Sequence, residues 1–300
     1  MGLPQSGIFA LGTGAHSIVE LELVHPEYGH STLGALARFA LDLDTTKGVN
    51  LVVGVRPSLF VHQMDIPVMA EDFSDPVEGV GGFSMPATQA DLWLWFAAGS
   101  QDRAFDCTRA ALALVGGAVR IARATTGWGY QGNRDLTGFI DGTENPPAAE
   151  AAEVALVREP ARLAGSSIAL VQRWRHDLDS FSALSTEEQE NVIGRTKQDS
   201  VEFDEERMPA NAHVSRTSLK VGGEALAIYR RSVPFGDADN HGLLFIAFTR
   251  DQGRVALMLA SMAGETDGVR DALTRFSTPE SGAYYFVPSF DLLEELAAGY

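Results

Sequence analysis

The 300-residue sequence is poor in cysteine and in basic residues, and both shortages exclude classes of protein. Cys107 is the only cysteine, which excludes a disulfide framework and any zinc or iron–sulfur site held by several thiolates. The 23 Lys and Arg residues are outnumbered by 40 Asp and Glu residues, giving a net charge of −17. Because phosphate backbones and anionic membranes repel such a chain, we expect no nucleic-acid or membrane partner.

Signals for export or membrane insertion are also missing from the sequence. The first basic residue is Arg38, so the N-terminal region lacks the positive charges of a secretory signal. Arg230 and Arg231 form the only adjacent arginine pair, and they lie far from the N-terminus. Uncharged stretches such as Ala110–Val119 contain glycine and are too short to span a bilayer. These absences predict a cytoplasmic protein.

Hydrophobic periodicity predicts the order strand–helix–strand, strand–helix–strand in the first part of the chain. A Ser or Thr is expected to cap the first helix, and a long loop rich in Asp, Pro and Gly is expected from Met64 to Gln89. The predicted elements are the strand His16–Leu23, the helix Ser31–Leu43, the strands Leu51–Val55 and Leu92–Phe96, the helix Arg103–Val115 and the strand Ala118–Ala124.

The second part of the chain repeats this order. A capping box formed by Ser185 and Glu188 predicts a helix that continues through Ile193. The other predicted elements are the strands Ser166–Trp174, Glu224–Arg230, Leu243–Phe248 and Ala283–Val287, and the helices Arg254–Met262 and Val269–Phe276.

The repeated order is typical of a ferredoxin-like unit. It predicts an α+β fold made of two ferredoxin-like halves with antiparallel sheets, which suggests a duplicated unit. The predicted domains are an N-terminal half at residues 1–131, a linker at residues 132–164 and a C-terminal half at residues 165–300. The linker contains Gly, Asn, Pro and a run of Ala and Glu.

Common catalytic motifs such as the Walker loop, GxGxxG, HExxH and CxxC are absent from the sequence. Seven histidines are the main candidates for chemistry, and their spacing does not distinguish among them. The most unusual segment is Gly138–Pro146, GFIDGTENP. Its Asp-Gly and Asn-Pro pairs favour a plain turn. The apolar Phe139 and Ile140, with glycines on both sides of Asp141, instead favour a site where a flat ligand approaches the backbone.

The Gly138–Pro146 segment resembles the GxxDG signature of dye-decolourising peroxidases, a family of haem enzymes. Further similar segments follow in the family's order and cover most of the chain, most strongly from Trp128 onward. They are Val171–Trp174 with His176–Asp177, Val192–Lys197, Asn211–Arg216, Ile228–Gly236, Gly242–Phe248 and Gly282–Pro288. The chain therefore resembles this family, and most of all its compact intracellular class. The resemblance implies two ferredoxin-like halves and one haem b per chain, bound in the C-terminal half.

By this resemblance, His213 is the axial ligand of the haem iron. An axial histidine of a peroxidase needs a hydrogen-bond acceptor on its second ring nitrogen, because the added basicity favours peroxide cleavage. The family pattern places Asp271 in that role, with Asp267 as the alternative. A solvated helix residue is the competing interpretation of Asp271.

The resemblance also implies the residues on the distal face of the haem. Arg230 would supply a fixed positive charge for the departing oxygen, and Asp141 would move the peroxide proton between the two oxygens. Ser232 lies two residues from Arg230, so on a continuous strand both side chains would share a face. Arg231 would then point the other way, into a surface or inter-segment salt bridge.

Leu243 and Phe245 alternate on a predicted strand and share one face. That face belongs either to the core or, by the resemblance, to the distal wall of the haem site. Five aromatic residues have two interpretations as well: core anchors, or surface residues that relay electrons from bulky dyes to the haem. They are Trp128, Trp174, Tyr229, Tyr284 and Tyr285.

The resemblance implies a peroxidase that reduces hydrogen peroxide and oxidises dyes, phenols or other small reductants through ferryl intermediates. A haem carrier or haem-handling protein with incidental peroxidase activity is the alternative, and a haem-free oligomerisation scaffold is a third interpretation. Relatives also imply a homo-oligomer. The sequence does not identify the physiological reductant.

Overall fold

The computed structural model describes residues 2–43, 45 and 48–299, so Met1 and Tyr300, the outer ends of the predicted domains, lie outside the described residues. Its helices are α1 (Gly29–Asp42), α2 (Pro57–Met64), α3 (Gln101–Leu114), α4 (Ala148–Ala155), α5 (Leu178–Ser182), α6 (Thr186–Ile193), α7 (His213–Thr217), α8 (Gln252–Ala263) and α9 (Phe290–Ala298).

The strands follow in the same chain order. They are β1 (Ala15–Leu23), β2 (Val49–Val55), β3 (Val77–Glu78), β4 (Ser84–Met85), β5 (Leu92–Ala98), β6 (Val119–Trp128), β7 (Ser167–His176), β8 (Lys220–Val221), β9 (Glu224–Ala225), β10 (Tyr229–Arg230), β11 (Val233–Gly236), β12 (His241–Thr249), β13 (Ser277–Pro279) and β14 (Ala283–Val287).

Eight of these strands form two antiparallel units of four. The first unit has the order β6-β1-β5-β2, and the second has the order β14-β7-β12-β11. Counted along the chain within each unit, both orders read 4-1-3-2, the ferredoxin-like arrangement. The predicted α+β fold of two ferredoxin-like halves is therefore confirmed. The domain boundaries after residues 131 and 164 stay predictions.

The two units join edge to edge into a closed ring of strands. β11 meets β6 through Phe235 and Gly127, and β14 meets β2 through Phe286 and Val55. A Cβ atom on Gly127 would lie 2.4 Å from a methyl carbon of Val233, so glycine is needed where the units touch. Because the ring closes, most strand edges are paired.

Side chains alternate between the inside of the ring and the helices outside it. On β7, Ala169 and Val171 belong to the core inside the ring, whereas Leu170 and Trp174 pack with residues of α8 on the outside. Helices α1, α3 and α9 cover the first unit. The outer face of β7 and β12 beside α8 is the part of the fold that forms the candidate site.

Several predicted elements agree with the structure, including β14 and the capping box of α6. The predicted Ser or Thr cap of α1 is wrong. The helix begins at Gly29, directly after a 3-10 turn that starts at Pro26, and Tyr28 provides no side-chain cap. Proline fixes a helical φ angle, so helical geometry begins before the first serine.

The predicted helix Val269–Phe276 is also wrong, because only Ala272–Arg275 is helical, as a 3-10 turn. The Asp271 carboxylate accepts a hydrogen bond from the N–H of Leu273, and such local bonds compete with a regular helix. The predicted strand Glu224–Arg230 is interrupted between β9 and β10. The predicted loop contains the β3–β4 hairpin, and the predicted linker contains α4.

No helix in the described ranges is both long enough and apolar enough to cross a membrane.

Candidate functional site

The main cavity lies between the outer face of β7 and β12, helices α7 and α8, and the loop formed by Gly138–Pro146, here called the 138–146 loop. Counted to its open mouth and including open solvent there, it holds about 1240 Å³. Most of its lining is apolar. The polar residues that line it include Asp135, Asp141, His176, Arg195, His213, Arg230 and Ser277.

His213 and Asp271 form a hydrogen-bonded pair at the wall of this cavity. His213 begins α7, and its Nδ1 lies 2.7 Å from Oδ2 of Asp271. Asp271 is completely buried, and its other carboxylate oxygen accepts from the N–H of Leu273 at 2.9 Å. A carboxylate only accepts, so Nδ1 carries the proton and Nε2 has a free lone pair. Nε2 has no hydrogen-bond partner among the described residues.

The alternative partner of His213, Asp267, lies elsewhere. Both of its carboxylate oxygens accept hydrogen bonds from Arg216 at 2.9 Å. Such a bidentate pair with an arginine fixes the carboxylate. The structure therefore places Asp271, and not Asp267, against the imidazole of His213.

His176 also lines the cavity, but both of its ring nitrogens are engaged. Nε2 lies 2.9 Å from Oδ2 of Asp135, and Nδ1 lies 2.9 Å from Oγ of Ser277. Burial alone would raise the pKa of the Asp135 carboxyl. The attraction of His176 and the N–H of Thr137 outweigh burial, so this pKa lies below its ordinary value. His176 is a structural member of the cavity wall and offers no free nitrogen to a metal.

The two glycines around Asp141 are required by the backbone of the 138–146 loop. Gly138 has φ of +89° and Gly142 has φ of +77°, a left-handed conformation that other residues rarely adopt. A Cβ atom on Gly138 would also lie 2.9 Å from Cε of Lys197. The GxxDG pattern thus fixes the path of the chain on both sides of Asp141.

The other end of the loop is anchored by Glu144 and Asn145. Glu144 pairs with Arg195, which also pairs with Glu202. Asn145 binds the main chain of Arg230 twice: its Nδ2 donates to the Arg230 carbonyl, and its Oδ1 accepts from the Arg230 N–H, both at 2.8 Å. Asn145 therefore joins the loop that carries Asp141 to the strand that carries Arg230.

This double hydrogen bond predicts the effect of Asn145→Ala. Without it, β10 is free to shift relative to the loop, and a displacement of about 1 Å can slow a reaction about 100-fold. For the haem peroxidase that the resemblance implies, we expect the variant to bind haem normally and to react with peroxide about 10- to 100-fold more slowly. Stopped-flow absorption measures this rate. Asn191→Ala is the matched control, because Asn191 makes no side-chain hydrogen bond within the described ranges; equal rates in both variants would refute the positioning role.

Asp141 and Arg230 both line the main cavity and are both only partly buried. The guanidinium of Arg230 forms no ion pair with a carboxylate of the described residues, and the Asp141 carboxylate likewise has no described hydrogen-bond partner. The structure therefore brings a cationic and a carboxylic side chain to one cavity without pairing them. This arrangement leaves both groups available to a small ligand.

Ser232 follows Arg230 without a change of register: Tyr229 pairs with Phe248, Val233 pairs with Leu244, and the N–H of Arg231 between them donates to the carbonyl of Ile246. This register agrees with the predicted shared face of Arg230 and Ser232. Ser232 also lines a smaller, second cavity, which Asp141 borders. The Oγ atom of Ser232 is buried and has no hydrogen-bond partner among the residues that the structure describes.

The prediction of a salt bridge for Arg231 is wrong. Arg231 borders the second cavity and donates to the carbonyls of Gly7, Ile8 and Ala10 in the N-terminal segment, at distances from 3.3 to 2.5 Å. Its guanidinium also lies 4.9 Å from the centre of the Trp95 ring. Within the described chain, neutral main-chain oxygens and an aromatic ring replace the expected carboxylate.

His16 lies in the second cavity and is only 6% exposed. Its Nδ1 accepts a hydrogen bond from Nε1 of Trp95 at 3.2 Å. Burial, together with the positive charge of Arg231, lowers the pKa of His16 from 6.5 to about 4. The imidazole is therefore neutral in the folded protein at pH values where it is protonated in the unfolded chain.

This difference predicts that His16 makes folding stability depend on pH. Between pH 6.5 and about 4 the unfolded state binds a proton that the folded state does not, so stability falls with decreasing pH and levels off below pH 4. The loss is about 3 kcal/mol. The His16→Gln variant retains a hydrogen-bond acceptor for Trp95, but its side chain does not titrate. Denaturant unfolding at pH 7 and pH 4 should therefore show that this variant loses about 3 kcal/mol less folding stability than the wild type between the two pH values. The exposed His25→Gln should behave like the wild type; an unchanged loss in His16→Gln would contradict the prediction.

Leu243 and Phe245 do share a face, and that face lines the main cavity. Both are only partly buried, whereas Leu244 and Ile246 between and beside them are at most 1% exposed inside the ring. Side chains of an ordinary core position would be covered completely. Their partial exposure therefore favours the interpretation as a cavity wall.

The core interpretation holds for four of the five aromatic residues. Trp174, Tyr229, Tyr284 and Tyr285 are all at most 7% exposed. Tyr285 donates to Oε2 of Glu20 at 2.9 Å inside the ring, and Trp174 and Tyr284 belong to the core beside α8. Trp128 alone is partly exposed, at the second cavity. These four residues are core anchors.

Comparison with known proteins identifies relatives of this chain. A family model described as Dyp-type peroxidase, C-terminal, matches residues 132–292. A dye-decolorizing peroxidase of Mycolicibacterium paratuberculosis is 39% identical to this chain over 215 residues. The matched residues make up 70% of this chain and 61% of that relative's length. A dye-decolorizing peroxidase of Mycobacterium tuberculosis is 36% identical, and the match covers 88% of this chain and 80% of that relative's length.

A solved structure gives the same result for the fold. A variant of DypB from Rhodococcus jostii, determined in complex with heme, is 31% identical and has a TM-score of 0.88, with 97% of each chain covered.

Proposed function

The chain belongs to the Dyp-type peroxidase family, and we propose that it is a haem-dependent peroxidase that reduces hydrogen peroxide and oxidises small donors such as dyes or phenols. The observation that carries the proposal is His213, whose Nε2 is free while its Nδ1 is held at 2.7 Å by the buried Asp271. This is the arrangement of a metal-binding histidine, since an acceptor behind the ring fixes its orientation and raises its basicity.

The residues of the main cavity fit a haem. His213 supplies one nitrogen ligand, and Leu243 and Phe245 supply an apolar wall that contacts a flat ring and excludes water. The related DypB binds heme, and we propose haem b, one per chain, for this protein. When bound, the haem supplies the iron that accepts the two oxidising equivalents of a peroxide molecule.

The protein's own groups handle protons and charge. Asp141 would accept a proton from one oxygen of hydrogen peroxide and return it to the other oxygen, which would leave as water. Arg230 holds a permanent positive charge beside the oxygen on which negative charge develops. Asn145 keeps the two side chains in one arrangement by binding the main chain of Arg230. Over a complete turnover, hydrogen peroxide, two electrons from the donors and two protons would give two molecules of water.

The base role of Asp141 predicts a specific pH effect. A carboxylate accepts a proton only when it is ionised, so the peroxide reaction should slow at the acid end of its pH profile. Asp141→Asn has the same size but no basic oxygen, and we expect it to react more slowly, with a flat acid limb. Stopped-flow rates between pH 4 and 8 test this. If the acid limb of the Asn variant matches that of the wild type, another group moves the proton.

A haem carrier is the second candidate, because a cavity with one histidine ligand also suits reversible haem binding. The two functions differ in the free cation and base beside the ligand, Arg230 and Asp141, which a carrier does not need. The deciding experiment loads the protein with haem, removes unbound haem and adds peroxide with a phenolic donor. Multiple turnovers favour the peroxidase, whereas rapid haem transfer to apomyoglobin with little oxidation favours the carrier.

Two further properties complete the proposal. We propose that the protein works in the cytoplasm as a homo-oligomer, both of which follow only from the resemblance to the compact intracellular class of the family. Ser232 borders Asp141 across the second cavity, and its catalytic role stays a prediction.

A further inference from the structure

A buried carboxylate holds the inner side of the segment that leads to Asp141. Within residues 131–146, all of which the structure describes, only Asp135 and Phe139 are buried. Phe139 belongs to an apolar cluster with Phe181. Asp135 is the one buried charge among these residues, and burying a charge is unfavourable unless it is paired. The contacts of this carboxylate therefore show what the segment is fixed to.

The two carboxylate oxygens of Asp135 have different partners. Oδ1 accepts from the N–H of Thr137 at 2.9 Å and so closes a turn within the segment. Two main-chain bonds close the same turn: Gly138 donates to the carbonyl of Asp135, and Asp135 donates to that of Phe139, both at 2.9 Å. Oδ2 accepts from Nε2 of His176, at the end of β7, at 2.9 Å. One carboxylate thus joins the turn to the sheet.

His176 is itself fixed in its orientation. Its Nδ1 lies 2.9 Å from Oγ of Ser277, the residue that faces His176 in the pairing of β13 with β7. Both side chains are buried. Because both ring nitrogens are engaged, the imidazole cannot rotate, and it sets the position of Asp135 relative to β7. The attraction of His176 also keeps the pKa of Asp135 below its ordinary value, so the carboxylate stays ionised in mild acid.

The turn has a second attachment on its outer side. Arg134 donates from Nη1 to the carbonyls of Gly138 and Lys197, at 2.7 and 3.1 Å, and from Nη2 to the carbonyl of Gln198 at 3.2 Å. These four residues are half-buried or exposed, so water competes for the same groups. The carboxylate–imidazole contact is shielded from water, where hydrogen bonds are electrostatically stronger.

We propose that Asp135 and His176 are positioning residues of the proposed peroxidase, which set the place of Asp141 at the main cavity. Asp141 follows the turn closely, and its N–H donates to the carbonyl of Asn133, on the other arm of the turn, at 2.9 Å. Movement of the turn therefore moves the Asp141 carboxylate. Asn145 holds the other end of the loop, so Asp141 is fixed from both sides. The inference rests on the proposed function for the role of Asp141, but the placement of the loop can be measured without peroxide.

Two substitutions of His176 separate its contact with Asp135 from its contact with Ser277. The amide of glutamine reaches as far as Nε2, so His176→Gln retains a donor for Asp135. The amide of asparagine reaches only as far as Nδ1, so His176→Asn loses that contact and retains the one with Ser277. In haem-loaded His176→Asn, the backbone amides of residues 137–141 should exchange with deuterium about tenfold or more faster than in the wild type, because a buried hydrogen bond to a charged group is lost. His176→Gln should exchange like the wild type.

A kinetic measurement distinguishes positioning from a general loss of structure. The reaction of haem-loaded His176→Asn with hydrogen peroxide should slow about 10- to 100-fold, because Asp141 is displaced. The haem content and the later reaction with a one-electron donor, in which Asp141 takes no part, should match those of the wild type. His30→Asn makes the same substitution at an exposed position and should match the wild type in every measurement.

Wild-type amide exchange and a wild-type peroxide rate in His176→Asn would overturn the proposal, and so would equal losses in His176→Asn and His176→Gln. If His176→Asn does not fold, Asp135→Asn decides the question by the same two measurements, with the exposed Asp42→Asn as its control; unchanged exchange and an unchanged rate would again overturn the proposal. If the wild type itself does not react with peroxide, the proposed function fails, whereas the exchange of residues 137–141 still tests what holds the loop.

Discussion

The His213→Ala variant is expected to lose most of its haem while retaining its fold. His213 is the one histidine at the main cavity, within the described chain, that has a free ring nitrogen, because both nitrogens of His176 are engaged. Alanine removes the iron ligand and leaves the buried Asp271 carboxylate without its partner. The Soret absorbance per protein chain measures the loss, and circular dichroism checks the fold.

Three comparisons make this result specific. His241→Ala should retain haem, because His241 lies away from the main cavity and contacts the carbonyl of Asp237. Imidazole added to His213→Ala should restore a six- or five-coordinate spectrum by replacing the lost ligand. Asp271→Asn should weaken haem binding about 10- to 100-fold, the usual effect of losing the partner of a ligating histidine. Full haem content with an unchanged spectrum in His213→Ala would show that another residue binds the iron.

The Arg230→Leu variant is expected to bind haem and to react with hydrogen peroxide about 10²–10³-fold more slowly. Arg230 is the unpaired cation that the described residues place at the main cavity together with Asp141. Leucine fills similar space without a charge, so negative charge on the departing oxygen is no longer stabilised. The second-order rate constant of the first absorbance change measures the effect.

Arg230→Lys separates charge from geometry. Lysine retains the positive charge but lacks the planar fork of the guanidinium, so its rate should lie between those of the wild type and the leucine variant. Arg250→Leu, at an exposed position, is the matched control and should react at the wild-type rate. A wild-type rate in Arg230→Leu would remove Arg230 from the mechanism and leave Asp141 as the main distal group.

The helices and strands could be predicted from the sequence because the patterns that indicate them are local. Alternating apolar residues predict β7 and β12, and the Ser185 capping box predicts the start of α6. The closed ring of strands could not be predicted, because the two four-stranded units meet only through single residue pairs such as Phe235 with Gly127. Such a contact joins residues far apart in the sequence and leaves no periodic pattern.

The candidate site shows the same division. The resemblance identified His213, Asp271, Asp141 and Arg230, which the structure places at one cavity or in contact with it. It did not identify Asn145, which holds the main chain of Arg230. Asn145 looked like half of a turn dipeptide, yet its amide binds the main chain of Arg230. The Asn-Pro pair at the end of the 138–146 loop was the available signal.

The error at Arg231 concerns its partner and not its direction. Alternation along the strand predicts that Arg231 points away from Arg230, and its guanidinium does lie beside Trp95 inside the ring. The acceptors it meets there are main-chain carbonyls of the N-terminal segment, whereas a salt bridge was predicted. Sequence spacing assigns a face of a strand, but it does not identify the distant segment that covers that face.

The central claim is that this cavity holds a haem that reacts with peroxide. It is tested most directly by mixing the haem-loaded protein with one equivalent of hydrogen peroxide and following the Soret band by stopped-flow absorption. We expect a rapid change at a rate proportional to peroxide concentration, reversed by two equivalents of a one-electron donor. A Soret band that does not respond to stoichiometric peroxide, or a purified protein that takes up no haem, would contradict the account.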